Sequence, residues 1–492
     1  MFVPLDRDMP VPLYLQLKEH LRRQIEEGVL PPSTRLAPTR RLAADLGVNR
    51  TTVLNAYAEL EAEGLVTGQV GRGTFVALPE SLADQVGRGE PLKDRYGWQT
   101  AFLAAGNVSA NLMMRDMLAL ANQPGIISFA MGAPAVDLLP AQAFRKALNV
   151  VLRREGARAL QYDLPEGSSG LREALFDYLE AQNVPAHKEE ILVTSGSQQG
   201  IYLVTQALLR PGETVITERP TYLGAVDAFQ SRGIHVIGVP VDIEGLQVAW
   251  LDRIVRQNQA RLIYTIPTFH NPTGVTLSLE RRRALVELAR KHDLLILEDA
   301  TCNELGYEGE TLPSLRALDP DGHVVYVGSF SKTFLPGLRV GYLVASGHIF
   351  RRLLSAKQTD DLHTSPLLQL ALACYLNSGQ LREHICQMRQ VYRERRDAML
   401  EGLARYLPER TRWTTPQGGL CLWVTLDPPL PMTPLYLKAI EHGVAFALGT
   451  VFFPDGQPGA CFRLNFSAHP PETIAVGLRR LGKAIRSLTA DL

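Results

Sequence analysis

The run Ser329-Phe330-Ser331-Lys332-Thr333-Phe334-Leu335-Pro336-Gly337-Leu338-Arg339-Val340-Gly341-Tyr342 decides how the larger part of this chain is read. It follows His323-Val324-Val325-Tyr326-Val327-Gly328, a short apolar run of the kind that fills a buried strand. A lysine just past a strand end is readily desolvated, which lowers its pKa and makes its amine a nucleophile toward an aldehyde. Arg339, seven residues on, offers a planar fork for a phosphate, and Ser329, three residues before, adds a hydroxyl. By itself a buried lysine near an arginine is more often a member of an ion-pair network. The motif gains meaning from its surroundings.

From about residue 120, other apolar runs alternate with amphipathic helical stretches: EILVTSG, TVITE, RLIYTIP and LLILEDA. This βαβ rhythm predicts an α/β domain with a mainly parallel sheet covered on both faces. Ligands of such sheets gather beyond the carboxyl ends of the strands, where the polar motifs of this chain fall. Asp299, closing LLILEDA, suits a protonated ring nitrogen, although an Asp at a strand end is also a common helix cap. Asn271 in Asn271-Pro272-Thr273-Gly274 suits a ring oxygen, although such a tetrapeptide alone is usually a turn. Gly196-Ser197-Gln198 follows EILVTS and opens a helix, a geometry whose N–H groups cradle phosphate. Tyr222 in ERPTY can stack on a ring or simply serve the core. Together these are the partners that a pyridoxal phosphate site requires.

In chain order, QYDLPEGSSGLREAL, TSGSQQG, RPTY, HNPTG, LEDA, SFSKTFLPGLRVGY, PQGGLCLWV and FRLNFS resemble the class I (fold-type I) aminotransferases over roughly residues 120–492. The resemblance implies bound pyridoxal 5'-phosphate, with Lys332 as the Schiff-base lysine, Asp299 as partner of the pyridine nitrogen and Asn271 as partner of the 3-oxygen. It makes Ser197, Gln198, Ser329 and Arg339 phosphate ligands and Tyr222 the stacking ring. It also implies that Tyr162 reaches the phosphate of a second subunit and that Arg463 grips the α-carboxylate of a substrate or effector. Thr301 and Cys302 stand where family members often carry a tyrosine bonded to the 3-oxygen. That departure is expected to shift the Schiff-base pKa and blunt transamination while leaving cofactor binding intact.

Toward the N-terminus, Leu13, Leu17, Leu21 and Ile25 predict a helix bounded by Pro10 and Pro12 on one side and by Gly28, Pro31 and Pro32 on the other. A second helix is expected over Thr39–Leu46, ended by a turn at Gly47. Asn49 caps a third, with Val53, Tyr57 and Leu60 inward and Gly64 at its end. A hairpin of Leu65-Val66-Thr67 with Thr74-Phe75-Val76 follows, carrying Gly71-Arg72-Gly73 near its tip. Three helices and a hairpin give winged helix-turn-helix order. The second helix of such a motif enters the major groove by its N-terminal residues, here Asn49-Arg50-Thr51-Thr52. Arg50 suits guanine, and Thr51 and Thr52 suit phosphate or a thymine methyl. Arg40, Arg41 and Arg72 are placed to meet backbone phosphates.

Residues 1–76 hold nine Lys/Arg and nine Asp/Glu, yet residues 35–52 hold four arginines against Asp45 alone. Charge alone would favour an ordinary solvated arginine face. The runs LAPTRRLAADLGVNRTTVLNAYAELEAEGLV and GRGTFV, however, resemble the GntR family of bacterial regulators. That resemblance puts DNA-contacting arginines at Arg40 and Arg50 and the wing glycine at Gly73. Leu54 sits where some members carry a further arginine, which leaves the operator sequence open.

A chain of 492 residues is expected to hold at least two domains, and its 46% hydrophobic and 21% charged content is that of a globular protein. Zero net charge excludes a global field that would attract nucleic acid or an anionic membrane, so any DNA contact rests on local charge. Five cysteines without CxxC spacing fit a reducing compartment and give no zinc module, disulfide framework or other metal site. The start MFVPLDRDMPVPLYLQ lacks the features of a signal peptide, and no apolar stretch of about 18 residues suggests a span. The expectation is a cytoplasmic protein, nucleoid-associated when on DNA, with no membrane partner. The expected domains are a winged helix-turn-helix at 1–77, a linker at 78–115 and the aminotransferase-like domain at 116–492, which ends in a smaller α+β subdomain.

Joined in this order, the two domains resemble the MocR subfamily of GntR regulators. The resemblance implies a transcription regulator controlled by pyridoxal phosphate, with a small amine or amino-acid effector. It further implies a homodimer that reads repeated or inverted half-sites in double-stranded DNA. Two alternatives stay open: a working aminotransferase with a regulatory N-terminal domain, and a cofactor-sensing protein that never touches DNA.

Overall fold

The computed structural model describes residues 5, 9, 11–26, 30, 34, 36–69, 73–77, 117–121, 123–309, 311–456 and 459–490. The expected linker, 78–115, and the wing residue Arg72 lie outside the described residues. The chain divides into two compact units. The first comprises Met1–Pro124, Pro429–Gly443 and Lys483–Leu492; the second comprises Gly125–Pro428 and Val444–Gly482.

In the first unit, α1 (Leu13–Glu26), α2 (Thr39–Leu46) and α3 (Arg50–Ala62) precede an antiparallel hairpin, β1 (Val66–Gln69) with β2 (Gly73–Val76). Leu17 and Leu21 of α1 are fully buried, as are Leu42, Val53, Ala56 and Leu60. They form one core with Leu36, Leu46, Tyr57, Val66 and Val76. Gly47 ends α2 in the left-handed region at φ 61°, which costs an L-residue with a side chain more than it costs glycine. Asn49 caps α3 by accepting from the Thr51 N–H at 3.2 Å. Each of these features follows the spacing in the sequence.

The second unit begins with β3 (Ile127–Ser128), which pairs in parallel with Val444–Ala445. Its eight-stranded sheet has the order β4 (Ile191–Thr194), β11 (Gly341–Val344), β10 (Val324–Ser329), β9 (Leu295–Asp299), β8 (Leu262–Thr265), β5 (Thr214–Arg219), β6 (His235–Asp242), β7 (Gly245–Leu246). The pairs β10·β9, β9·β8, β8·β5 and β5·β6 are parallel; β11 runs antiparallel to both its neighbours, and β7 runs antiparallel to β6. Every residue of β4, β8, β10 and β11 is buried, which is why these strands read as unbroken apolar runs rather than as alternating ones. Helices including α4 (Ala141–Glu155), α5 (Ser169–Glu180), α6 (Ser197–Leu208), α7 (Leu223–Gln230) and α8 (Leu279–His292) bury apolar faces of their own. A smaller antiparallel sheet, in the order Arg412–Trp413, Cys421–Thr425, Cys461–Asn465, Ala447–Leu448, completes the expected subdomain. Among the described residues, no helix is long and apolar enough to cross a membrane.

Candidate cofactor and DNA-binding sites

The sheet brings the polar motifs to one edge. Lys332 lies three residues beyond β10, and its Nζ donates to the Gly132 carbonyl at 2.6 Å. Burial holds this amine below the usual lysine range, reinforced by the Arg463 charge, while Cys302 and Asp299 act in the opposite direction. Asp299 ends β9 and is 3% exposed. It accepts from the Tyr264 hydroxyl at 2.9 Å and from the Thr301 N–H at 3.2 Å. Burial raises its pKa, and these two donors pull it back toward the ionised form that a protonated ring nitrogen needs.

Asn271 and Arg463 touch. Arg463, 7% exposed on the strand Cys461–Asn465, donates to Asn271 Oδ1 at 2.8 Å and to the Ala130 carbonyl at 2.6 Å. Its guanidinium also sits over the Phe452 ring at 4.9 Å. Because an arginine only donates, Asn271 must present its oxygen to Arg463, which leaves its NH2 group as a donor. The Nε of Arg463 is buried and has no hydrogen-bond partner among the described residues.

The phosphate-type cradle is built from Gly196, Ser197 and Arg339. Gly196 precedes α6 at φ 88°, ψ 168°, a region open essentially to glycine alone. A Cβ placed there would lie 2.6 Å from an Arg339 terminal nitrogen. Ser329 donates from its hydroxyl to Ser331 Oγ at 2.9 Å and accepts the Ser331 N–H at 3.1 Å. The Gln198 side chain is engaged elsewhere: it accepts the Tyr222 hydroxyl at 3.0 Å and donates to the Gly224 carbonyl at 2.6 Å. Its first-turn N–H, not its amide, is therefore the group it can offer an anion.

Several contributors had not stood out in the sequence. Tyr264 is a lone phenol in the strand Leu262–Thr265, and that irregularity was its one visible signal. Ser331 and the carbonyl of Gly132 also join the site. Beneath the cradle, Ser195 donates to Asp361 at 3.0 Å, and Asp361 pairs with Lys357, whose side chain is fully buried. No spacing rule links residue 195 to residue 361. Tyr162 stands apart from the cluster: it is 78% exposed and meets the His363 ring edge-on at 5.5 Å.

A group with an aldehyde, a ring nitrogen that takes a proton, a 3-oxygen and a phosphate fits this donor set. The amine of Lys332, the buried Asp299 carboxylate, the Asn271 amide and the glycine-only cradle at Gly196 match those four features in turn. Among the described residues, no cluster of His, Cys, Asp or Glu is arranged to hold a metal ion.

In the first unit, the face of α3 opposite its core exposes Arg50, Thr51, Leu54 and Asn55, with Thr52 half-buried. No acidic residue lies in the first turn of α3. Arg40 and Arg41 are exposed on α2, Arg41 lying 4.0 Å from Asp45, and Gly73 opens β2 at φ 114°. Lys18 is spent within the unit, 2.7 Å from Glu63 and 3.3 Å from Glu59. Asn55, one turn after Thr51, is a further polar group on the exposed face.

Residues 13–76 match the gntR family of bacterial regulatory proteins, and residues 124–481 match the aminotransferase class I and II family. The probable rhizopine catabolism regulatory protein MocR of Rhizobium meliloti is 31% identical over 498 residues, covering 99% of this chain and 96% of that protein. The chain belongs to the MocR-type regulators. Another relative, the uncharacterized HTH-type transcriptional regulator YisV of Bacillus subtilis, matches over the same full extent, 32% identical across 98% of both chains. The aminotransferase part of this MocR-type chain is similar to a solved structure of the α-aminoadipate aminotransferase LysN from Thermus thermophilus, complexed with N-(5'-phosphopyridoxyl)-L-leucine. The identity is 36%, the TM-score 0.75, and the match covers 80% of this chain and 100% of LysN.

Proposed function

We propose that this MocR-type regulator binds operator DNA as a homodimer and that pyridoxal 5'-phosphate held at Lys332, together with a small amine or amino acid, sets its affinity for that DNA. The observation that carries this reading is the gathering of Lys332, Asp299, Asn271 and the Gly196 cradle in a chain whose N-terminal unit exposes Arg50 and Thr51 on a capped helix. When bound, the cofactor supplies an aldehyde for a primary amine and a ring that withdraws electrons.

The residues of the chain divide the remaining work. Lys332 offers an amine whose pKa burial lowers; Asp299, oriented by Tyr264, would hold the ring nitrogen; and Asn271 would donate to the 3-oxygen. Ser197, the Gln198 N–H, Ser329 and Arg339 receive the phosphate, and Tyr222 covers the ring. Arg463 takes an effector carboxylate, for which its buried, unpartnered Nε is suited. In the DNA-binding unit Arg50, Thr51 and Thr52 read the groove, with Arg40, Arg41, Arg72 and Gly73 toward the backbone.

Leu160, Tyr162, Leu164 and Leu362 are between 55% and 78% exposed, an apolar surface that a second subunit would cover while Tyr162 reaches the neighbouring phosphate. We place the domain limits at 1–77, 78–115 and 116–492 and the protein in the cytoplasm. Binding of labelled upstream DNA, titrated with and without pyridoxal phosphate and a panel of amines, tests the reading. Identical isotherms under all conditions would overturn the regulatory link.

One observation favours a second reading, a working aminotransferase: the aromatic-amino-acid aminotransferase 1 of Thermococcus litoralis is 37% identical over 379 residues, 76% of this chain and 91% of that enzyme. Rapid multiple turnover of amino acid with a 2-oxo acid would support it. Cys302, in the place of the frequent tyrosine, weighs against it.

A further inference from the structure

Glu218 lies one residue before the end of β5, four residues before Tyr222, and is 2% exposed. Its carboxyl accepts from the Thr265 hydroxyl, from the Ile266 N–H at 2.8 Å and from the Thr221 hydroxyl at 3.2 Å. Its Oε2 faces His270 Nε2 at 3.8 Å. His270, directly before Asn271, is itself 2% exposed, and its Nδ1 is 2.7 Å from Thr273 Oγ1. Nε2 is buried and has no hydrogen-bond partner among the described residues. The space around the pair is closed by Val241, Leu246, Ile266, Pro267, Val275 and Leu277 and leaves no room for a water molecule.

We propose that Glu218 and His270 form a proton-dependent clasp that positions the Tyr222 and Asn271 loops against the cofactor ring. This rests on the cofactor reading above. With its proton on, Glu218 donates to His270 Nε2 after a small approach, and both groups are neutral and partnered. Without it, and with the imidazole proton on Nδ1 toward Thr273 Oγ1, the charged Oε2 faces the Nε2 lone pair and is held only by the Thr221, Thr265 and Ile266 donors. Burial accordingly pushes the Glu218 carboxyl up to about 7 and holds the His270 imidazole down at about 3.

Few other charges face the pair. On β8, Tyr264 feels both Glu218 and Asp299, and Glu298 on β9 is turned to the N–H groups of Leu315 and Arg316. Arg281 is bound to Asp242 and the carbonyls of Gly245 and Leu246, and Arg282 to those of Leu277 and Pro267. The facing parts of β6 and β7 contribute only apolar groups. The clasp therefore titrates on Glu218, and its effect passes through the loops to Tyr222 and Asn271.

The test compares the affinity for pyridoxal phosphate, read from its visible band, in the wild-type full-length protein and in Glu218→Gln from pH 5.5 to 9. Glutamine imitates the neutral carboxyl, and the ratio of the two affinities cancels the titration of the cofactor and of Lys332. The ratio should be near one at pH 5.5 and should reach about tenfold weaker wild-type binding by pH 9, the change that one pKa unit of coupling gives. His270→Ala should weaken binding at pH 5.5 and bring little further loss at pH 9, where the clasp is already open. A ratio that stays constant with pH overturns the clasp, whereas a wild-type protein that develops no band overturns the cofactor reading instead. If Glu218→Gln does not fold, infrared titration of the wild-type protein decides. A protonated-carboxyl band that fades through neutral pH supports the clasp, and its absence refutes it.

Discussion

Replacing Gly196 by alanine should damage the phosphate cradle while leaving the rest of the fold in place. The glycine sits at φ 88°, ψ 168°, so any side chain there carries about 1–3 kcal/mol of backbone strain. The new Cβ would also stand 2.6 Å from a terminal nitrogen of Arg339 and 3.1 Å from its Cζ. Arg339 must then swing away, and it is itself held at φ 52° with one nitrogen 3.4 Å from the Ser195 carbonyl. One charge-assisted bond to phosphate is worth about 1.5–3 kcal/mol, so affinity for pyridoxal phosphate should fall about 10- to 100-fold. Titrating the visible band measures that loss, and thermal unfolding of the cofactor-free protein measures the strain separately. Gly170→Ala is the control, because a Cβ there meets nothing within 4 Å. Unchanged affinity in Gly196→Ala would refute the assignment of this turn to the phosphate.

Arg50→Ala should weaken operator binding by about 1–3 kcal/mol and relax base preference at one position, whereas Lys18→Ala, already tied to Glu59 and Glu63, should leave the isotherm unchanged; fluorescence anisotropy at fixed salt checks both. Tyr57→Phe removes the hydroxyl that donates to the Ala37 carbonyl at 2.9 Å and should cost the first unit about 1 kcal/mol, read by urea unfolding. Glu218 also predicts a pH dependence of cofactor-free stability. Its folded value, about 7, lies above its ordinary value of 4.5, so its contribution is fully present below about pH 4.5 and is lost as pH rises through about 7. A difference of that size is worth about 3 kcal/mol. The stability gap between wild type and Glu218→Gln should change by about that amount from pH 4.5 to 8, and a flat gap would count against it.

Much of this was legible in the sequence, for reasons of period and punctuation. The helix over Thr39–Leu46 and the cap at Asn49 follow from local rules, because apolar spacing and capping are decided within one or two turns. The buried strands ending at Thr194, Asp299 and Ser329 announced themselves as apolar runs, and the motifs after them had to gather at the carboxyl edge of a parallel sheet. Contacts made across the sheet were not legible. Tyr264 reaches Asp299 from the neighbouring strand, and Glu218 meets His270 across 52 positions, pairings that only strand order creates. The partners of the Gln198 amide were hidden for the same reason: it answers Tyr222 and Gly224, residues brought beside it by the fold of α7. Tyr162 stays at the surface of a single chain, so its task is settled by whatever packs over it.

The link between the two halves of the molecule is tested most directly by operator affinity measured with and without pyridoxal phosphate, in wild type and in Lys332→Ala. The account predicts that the cofactor shifts wild-type affinity several-fold while giving a visible band, and that Lys332→Ala shows neither change. A band that persists in Lys332→Ala, or a wild-type affinity indifferent to the cofactor, would contradict it.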